Sequence, residues 1–148
     1  MKLSVLIPIY NEAKWLETIV LKVLKQNVEG IEAKELILVD DCSSDNSKDV
    51  IAKLKQKYPL LIECYFHTIN KGKGAAIRTA IEKMTGDICI IQDSDWEYDP
   101  QDYPKILKPI IDDLADCVYG SRFVGGESRR VLYFWHAVGN YFLTIFGS

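Results

Sequence analysis

Three carboxylates, Asp93, Asp95 and Glu97, stand at alternate positions directly after the apolar run 87–92. Alternate side chains of an extended segment point the same way, so we expect these three carboxylates to share one side. Hard oxygen ligands of this kind suit Mg²⁺ or Mn²⁺, which often bind a substrate diphosphate as well. A solvated acidic turn is the alternative for so short a motif, but the position at the end of an apolar run favours a metal site.

A second acidic pair, Asp40 and Asp41, follows another apolar run and precedes a loop rich in Ser and Asp. We expect Ser44 or Asp45 to cap the next helix, which would leave Asp41 to accept hydrogen bonds from a nucleotide base or ribose. Tyr10, after the first apolar run, offers an aromatic face to the same base. Helix capping by the acidic pair and core packing of Tyr10 are the open alternatives.

Two segments offer positive charge to a phosphate. The Gly-rich segment 70–76 (NKGKGAA), which contains Lys73, opens a predicted helix and can turn its amides and lysines toward an anion. It matches neither GxGxxG nor GxxxxGK[ST], and close backbone packing explains its glycines comparably well. Arg122 follows the last apolar run, and its guanidinium can bind two phosphate oxygens at once, unless it is only a surface cation. His67 and His136 are the only histidines, so a hydrolase triad has little support.

The elements that must position these side chains alternate along the chain. Strands are predicted at 2–8, 35–40, 61–67, 87–92 and 117–119, with helices after Asn11, over 50–58, over 74–84 and from about Asp99. Near-continuous apolar strands between helices predict an α/β, doubly wound, mostly parallel sheet with helices on both faces. Ligands of such sheets bind beyond the carboxyl ends of the strands, where all of these polar side chains stand.

Composition narrows the function classes. A chain of 148 residues is about one domain, and its 18 Lys and Arg against 21 Asp and Glu argue against nucleic acid as a partner. The four cysteines form no CxxC pair, which favours a reducing cytoplasm over a zinc or redox site. The first apolar run is too short for a signal peptide or a membrane span.

Together these segments resemble the GT-A glycosyltransferases of the large inverting family 2, especially the polyprenyl-phosphate branch that contains dolichyl-phosphate mannose synthases. The matching segments are VLIPIYNE (5–12), ELILVDDCSSDNS (35–47), NKGKGAAI (70–77), GDICIIQDSDWEYDP (86–100) and ADCVYGSR (115–122). They follow the order of the family to about residue 130. The resemblance implies a nucleotide-diphospho-sugar transferase fold, a GDP- or UDP-sugar donor and bound Mg²⁺ or Mn²⁺.

The resemblance also implies roles for particular residues. The implied nucleotide-sugar contacts are Pro8, Tyr10, Glu12, Asp41, Asp93, Asp95 and Arg122, and the implied metal ligands are Asp93, Asp95 and Glu97. Lys73 joins the nucleotide-sugar contacts because of its place in the Gly-rich segment. Asp93 and Asp95 are the implied catalytic pair. Glu97 stands where the branch often has Gln, a change that keeps an oxygen ligand and adds negative charge.

A polyprenyl phosphate is the acceptor that the resemblance implies. Its phosphate oxygen is already anionic, so it needs no strong general base, and the sequence shows no convincing base outside the acidic cluster. Family catalytic domains are longer than this chain, so we expect a truncated one with a nucleotide-sugar-binding domain at 1–130. Residues 131–148 are expected to form an aromatic-rich helix that lies on a membrane surface or packs on the domain. The enzyme is expected on the cytoplasmic face of that membrane.

Other functions remain open at this point. A nucleotidyltransferase that makes a nucleotide sugar also joins an α/β sheet to metal-binding carboxylates, although its Gly-rich basic loop is missing after the first strand. A non-catalytic nucleotide-binding fragment fits the short length. A receiver-like signalling domain fits less well, because its acidic cluster should follow the first strand.

Overall fold

The computed structural model describes residues 1–94 and 98–119. The chain forms two compact units, Met1–Val118 and Tyr119–Ser148. Of the second unit only its first residue belongs to the described part, so the fold below is that of the first unit. The aromatic helix predicted over 131–148 and the predicted domain boundary before it lie outside the described residues.

Four parallel strands and their helices form this unit. In chain order the elements are β1 (Lys2–Ile9), α1 (Ala13–Lys25), β2 (Ala33–Asp40), α2 (Ser47–Lys57), β3 (Ile62–Phe66), α3 (Lys73–Lys83), β4 (Ile88–Ile91), a 3₁₀ turn (Pro100–Asp102) and α4 (Tyr103–Ile111). The strands lie in the order β3-β2-β1-β4, and every pair is parallel. The predicted α/β parallel sheet is therefore confirmed. The direction of winding reverses between β1 and β4, where such sheets open a crevice for ligands.

Both faces of the central strands β1 and β2 are covered, which explains why these strands read as continuous apolar runs. Alternate residues of β1, such as Val5 and Ile7, join one core cluster with α1, α2 and α4. Leu6 points to the opposite face, where it packs with Ala76 and Ala80 of α3. Within the described ranges, no helix is both long and apolar enough to cross a bilayer.

The fifth strand predicted at 117–119 does not form. Cys117 is exposed and Tyr119 is 89% exposed, so this short run lacks the burial that drives a strand to pair. The last helix, α4, ends only two residues beyond Pro109, which has no backbone N–H to donate within a helix.

A buried polar cluster fastens the amino ends of β1 and β2 to the turn before β4. The two oxygens of Glu35 accept hydrogen bonds from the hydroxyl of Ser4 (2.6 Å), the amide of Thr85 (2.7 Å) and the hydroxyl of Thr85 (2.8 Å). The Lys2 ammonium lies 2.7 Å from the same carboxylate. Burial alone would raise the pKa of Glu35, but these bonds outweigh it and lower the pKa to about 2.

This cluster predicts a pH-dependent stability. Because the pKa of Glu35 falls from 4.5 to about 2 on folding, its stabilising effect is complete above pH 4.5 and is lost as the pH falls toward 2. Glu35→Gln should lower the free energy of unfolding at pH 7 by about 1–3 kcal/mol, and the difference from the unsubstituted chain should shrink in acid. Urea unfolding at several pH values measures it, with the exposed Glu63→Gln as the control. A difference that stays constant from pH 7 to pH 2.5 would contradict this account.

Candidate functional site

A cleft of about 420 Å³ opens at the carboxyl ends of β1, β2 and β4, beside the amino end of α3. Its lining residues are Pro8, Ile9, Tyr10, Glu12, Asp41, Asn70, Gly72, Lys73, Ala76, Asp93 and Ser94. The cleft lies at the point where the strand order reverses, and its volume is in the usual range for small-molecule sites.

Six of the residues predicted to bind a nucleotide sugar or metal therefore share one cleft. They are Pro8, Tyr10, Glu12, Asp41, Lys73 and Asp93. Tyr10 is 51% exposed, so core packing does not explain this residue. Asp95, Glu97 and Arg122 lie outside the described residues, and their roles stay predictions.

Hydrogen bonds between the loops after β1 and β2 build one wall of the cleft. Asn11, at φ 54°, accepts hydrogen bonds at its side-chain oxygen from the amides of Ser44 (2.8 Å) and Asp45 (3.3 Å). Asp45 in turn accepts from the amides of Ala13 (3.1 Å) and Ser47 (2.9 Å). Asn11 thus joins the two loops, and the N-cap residue of α1 is Glu12. The N-cap residue of α2 is Asn46 and not Ser44 or Asp45, but Asp45 still bonds the first amide of α2 and also the first amide of α1.

Asp41 has more protein partners than the sequence suggested. Its side chain is almost fully buried, and its Oδ1 accepts from the Nδ1 of His67 (2.7 Å) and the amide of Lys71 (2.9 Å). Its Oδ2 accepts from the amide of Gly72 (2.7 Å). Burial alone would raise the pKa of Asp41, but the Lys71, His67 and Gly72 bonds lower it.

Asp41, which we expected to accept hydrogen bonds from a base or ribose, thus already has three protein donors. A carboxylate has about four acceptor positions, so three donors leave room for roughly one more. Asp41 does not cap α2 either; it fastens the loop that leads into α3. Its contact with a nucleotide stays a prediction.

Lys73 and Asp93 face each other across the cleft. The ammonium of Lys73, the first residue of α3, lies 2.6 Å from Oδ1 of Asp93. Gly72, just before the helix, has φ 87°, and a Cβ there would meet nothing within 4 Å. Its backbone conformation, rather than close packing, therefore requires the glycine. The same open space surrounds Gly74, so the packing alternative fails for both.

Asp93 fits a divalent cation as a hard oxygen donor, with Lys73 now balancing its charge. Over residues 1–94 and 98–119, no three His, Cys, Asp or Glu side chains form a metal-binding group. Two of the three predicted ligands lie beyond those ranges. The described residues thus supply one ligand of the predicted set.

Gln92, which the sequence analysis did not single out, holds both ends of the acidic segment through hydrogen bonds to its backbone. It is 1% exposed, and its amide group donates to the carbonyls of Asp93 (3.0 Å) and Tyr98 (3.1 Å). Its Oε1 accepts from the hydroxyl of Tyr103 (2.7 Å). A glutamine at the end of an apolar strand, directly before the acidic residues, was the available signal.

The amino-acid sequence of residues 4–144 matches the profile of Glycosyl transferase family 2. The chain belongs to this family. The resemblance recognised in its motifs is therefore confirmed, including the polyprenyl-phosphate branch among its relatives.

Curated relatives of this family 2 chain include sugar transferases named for lipid phosphates. It is 32% identical over 126 residues to a dolichol-phosphate mannosyltransferase of Pyrococcus furiosus, covering 85% of this chain and 34% of that protein. It is 31% identical over 107 residues to an undecaprenyl-phosphate 4-deoxy-4-formamido-L-arabinose transferase of Serratia proteamaculans, covering 72% of this chain and 33% of the relative. The chain thus spans about a third of the length of these relatives.

Solved structures show the same fold. The S. aureus protein TarS, residues 1–349 in complex with UDP-GlcNAc, superposes with a TM-score of 0.62 at 29% identity, over 76% of this chain and 32% of that one. The mannosyltransferase PcManGT of Pyrobaculum calidifontis, in complex with GDP-Man and Mn²⁺, gives 0.61 at 27% identity, over 77% and 32%. The predicted GT-A fold is confirmed.

The brace at Gln92 predicts a local loss of stability. Gln92→Met keeps the length of the side chain but removes its donors and acceptor, which leaves buried polar partners unsatisfied. We expect the free energy of unfolding to fall by about 1–3 kcal/mol. Gln56→Met, on the exposed side of α2, is the matched control and should change it by less than about 0.5 kcal/mol. Urea denaturation measures both, and similar losses in the two variants would contradict the brace.

Proposed function

We propose that this chain is the donor-binding part of a metal-dependent, inverting glycosyltransferase that transfers a sugar from a GDP- or UDP-sugar to a polyprenyl phosphate. The observation that carries the proposal is the convergence of Tyr10, Asp41, Lys73 and Asp93 in one cleft at the reversal of strand order. The relatives and solved neighbours described above, which are named for sugar transfer or nucleotide-sugar ligands, support it.

Each part of the donor has a matching group in the cleft. The exposed ring of Tyr10 can stack on the base, and the remaining acceptor position of Asp41 suits a base N–H or a ribose hydroxyl. Lys73 stands at the start of α3, where its ammonium and the helix amides favour an anionic diphosphate. Arg122 is proposed as a second cation for the diphosphate, which its planar guanidinium suits.

Asp93, together with Asp95 and Glu97, is proposed to hold Mg²⁺ or Mn²⁺. The bound ion supplies electrostatic stabilisation of the charge that develops on the leaving diphosphate. Gln92 holds the carbonyl of Asp93 from below and so fixes the start of this segment. Lys73, now paired with Asp93, is then available to a phosphate oxygen.

A lipid phosphate is the acceptor that best fits the described cleft. Asp41 and Asp93 are both bonded to protein donors, which makes them poor general bases. A phosphate acceptor needs none, because its oxygen is ionised at neutral pH. Contact of residues 131–148 with a membrane surface, and a place on its cytoplasmic face, belong to the same proposal.

A second candidate is a nucleotide-binding fragment without transferase activity of its own. The donor cleft alone supports it, because binding a nucleotide needs no acceptor site. A nucleotidyltransferase has less support, because the relatives described above are named as sugar transferases. The candidates share the donor cleft, so binding tests the cleft and product formation separates the functions.

Metal-dependent nucleotide binding tests the proposal directly. The unsubstituted chain should bind UDP or GDP more tightly in Mn²⁺ than in EDTA, by about tenfold or more (about 1.4 kcal/mol per tenfold), because the ion offsets the charge of the diphosphate. Asp93→Asn should remove most of that difference. The control is Asp113→Asn, in an exposed turn. Isothermal titration calorimetry measures both, and equal affinities in Mn²⁺ and EDTA for the unsubstituted chain would refute metal dependence.

The Lys73–Asp93 ion pair predicts that substitution of Lys73 strengthens the binding of Mn²⁺ and weakens the binding of a nucleoside diphosphate. Lys73→Met removes the cation that competes for Asp93, so Mn²⁺ alone should bind more tightly. The same variant should lose about threefold to tenfold in affinity for UDP or GDP while binding uridine or guanosine unchanged, since only the diphosphate meets the ammonium. Lys71→Met is the control. It removes a lysine from the same loop, but the contact of Lys71 with Asp41 is made by the backbone amide, which the substitution keeps. Weaker Mn²⁺ binding in Lys73→Met would contradict the competition.

A further inference from the structure

His67 stands just beyond β3 with both of its ring nitrogens engaged. Nδ1 lies 2.7 Å from Oδ1 of Asp41, and Nε2 lies 2.9 Å from the hydroxyl of Thr79 in α3. The side chain is only 9% exposed, and its backbone amide donates to the carbonyl of Asp40 (2.8 Å). One imidazole thus connects the ends of two strands with a helix.

We infer that His67 is a positioning residue, which orients the Asp41 carboxylate and thereby fixes the loop that presents Gly72 and Lys73 to the nucleotide. That the ligand is a nucleotide rests on the proposed function, whereas the positioning role rests on the hydrogen bonds of His67 to Asp41 and Thr79. Nothing in it requires His67 to touch the substrate.

The hydrogen-bond pattern sets the roles of the two nitrogens. The lowered pKa of Asp41 keeps its carboxylate ionised, so the carboxylate can only accept, and Nδ1 of His67 must carry the hydrogen. In a neutral imidazole Nε2 is then an acceptor, and the Thr79 hydroxyl donates to it. The structure therefore assigns the Nδ1–H tautomer to neutral His67.

The effect on the cleft follows from what Asp41 holds. Oδ1 is shared between His67 and the amide of Lys71, while Oδ2 holds the amide of Gly72. Gly72 precedes α3 in a left-handed conformation, and Lys73 follows it and reaches Asp93. If Nδ1–H is lost, the carboxylate loses its buried donor and can turn, which loosens the loop at both amides.

Two amide substitutions separate this role from simple packing. In His67→Asn the side-chain NH₂ can take the place of Nδ1 and still donate to Asp41, while the contact with Thr79 is lost. In His67→Gln the amide reaches the position of Nε2 and keeps Thr79, but the donor to Asp41 is lost. Both variants remove similar ring packing, so their melting temperatures should fall by similar amounts.

Affinity for UDP and GDP in Mn²⁺, measured by calorimetry, should distinguish the two. His67→Asn should stay within about threefold of the unsubstituted chain, and His67→Gln should bind about tenfold more weakly, since a hydrogen bond to a charged group is lost. Thr79→Val should resemble His67→Asn. Equal weakening in the Asn and Gln variants, in step with their loss of stability, would overturn the inference.

A measurement without ligand keeps the two proposals distinguishable. Nitrogen-15 NMR of the imidazole should show neutral His67 protonated at Nδ1, and an Nε2–H tautomer would overturn the inference even if nucleotides bind. If neither UDP nor GDP binds the unsubstituted chain, the proposed function fails. The positioning of the loop is then still tested by the amide signals of Lys71 and Gly72, which should shift in His67→Gln and stay in place in His67→Asn; unchanged signals in both would refute it.

Discussion

Parallel pairing on both sides of β1 is the constraint on which the cleft depends. β1 is bonded to β2 along one edge and to β4 along the other, and both of its faces are buried. The register places Ile9 beside Asp40 and Leu6 beside Ile91, so Asp41 and Asp93 emerge on either side of the same strand end. A slip of one residue would turn every side chain of a strand to the other face, and the apolar packing on both faces opposes it.

Burying carboxylates at the carboxyl edge of the sheet costs desolvation free energy, and hydrogen-bond donors and an ammonium around them offset that cost. Asp41 is held by two backbone amides and the imidazole of His67, Asp45 by two backbone amides, and Asp93 by an ammonium. The amides of Ala13, Lys71 and Gly72 lie 30 to 32 residues from the carboxylates that they bond, so these acidic groups also hold separate loops together. An edge whose carboxylates are already held in place is suited to receive a cation and a diphosphate, with the Lys73–Asp93 ion pair as the contact that must be exchanged.

The sequence predicted the location of the site better than its internal bonding. Apolar runs located β1 to β4, and the rule for parallel sheets then placed Tyr10, Asp41 and Asp93 at one edge. The partners of Asp41 depend on the path of the loop before α3, which no local pattern specifies. The run at 117–119 failed as a strand for a related reason: a short apolar segment pairs only where the tertiary structure buries it.

Amide chemical-shift mapping of the 148-residue chain tests the central claim most directly. Titration with UDP or GDP in Mg²⁺ should shift the amides of Tyr10, Asp41, Gly72 and Lys73, at the carboxyl edge of the sheet. The amides of Lys34 and Glu35, at the opposite edge, should stay in place. Shifts confined to that opposite edge, or saturable binding that leaves the four cleft amides unchanged, would contradict the account.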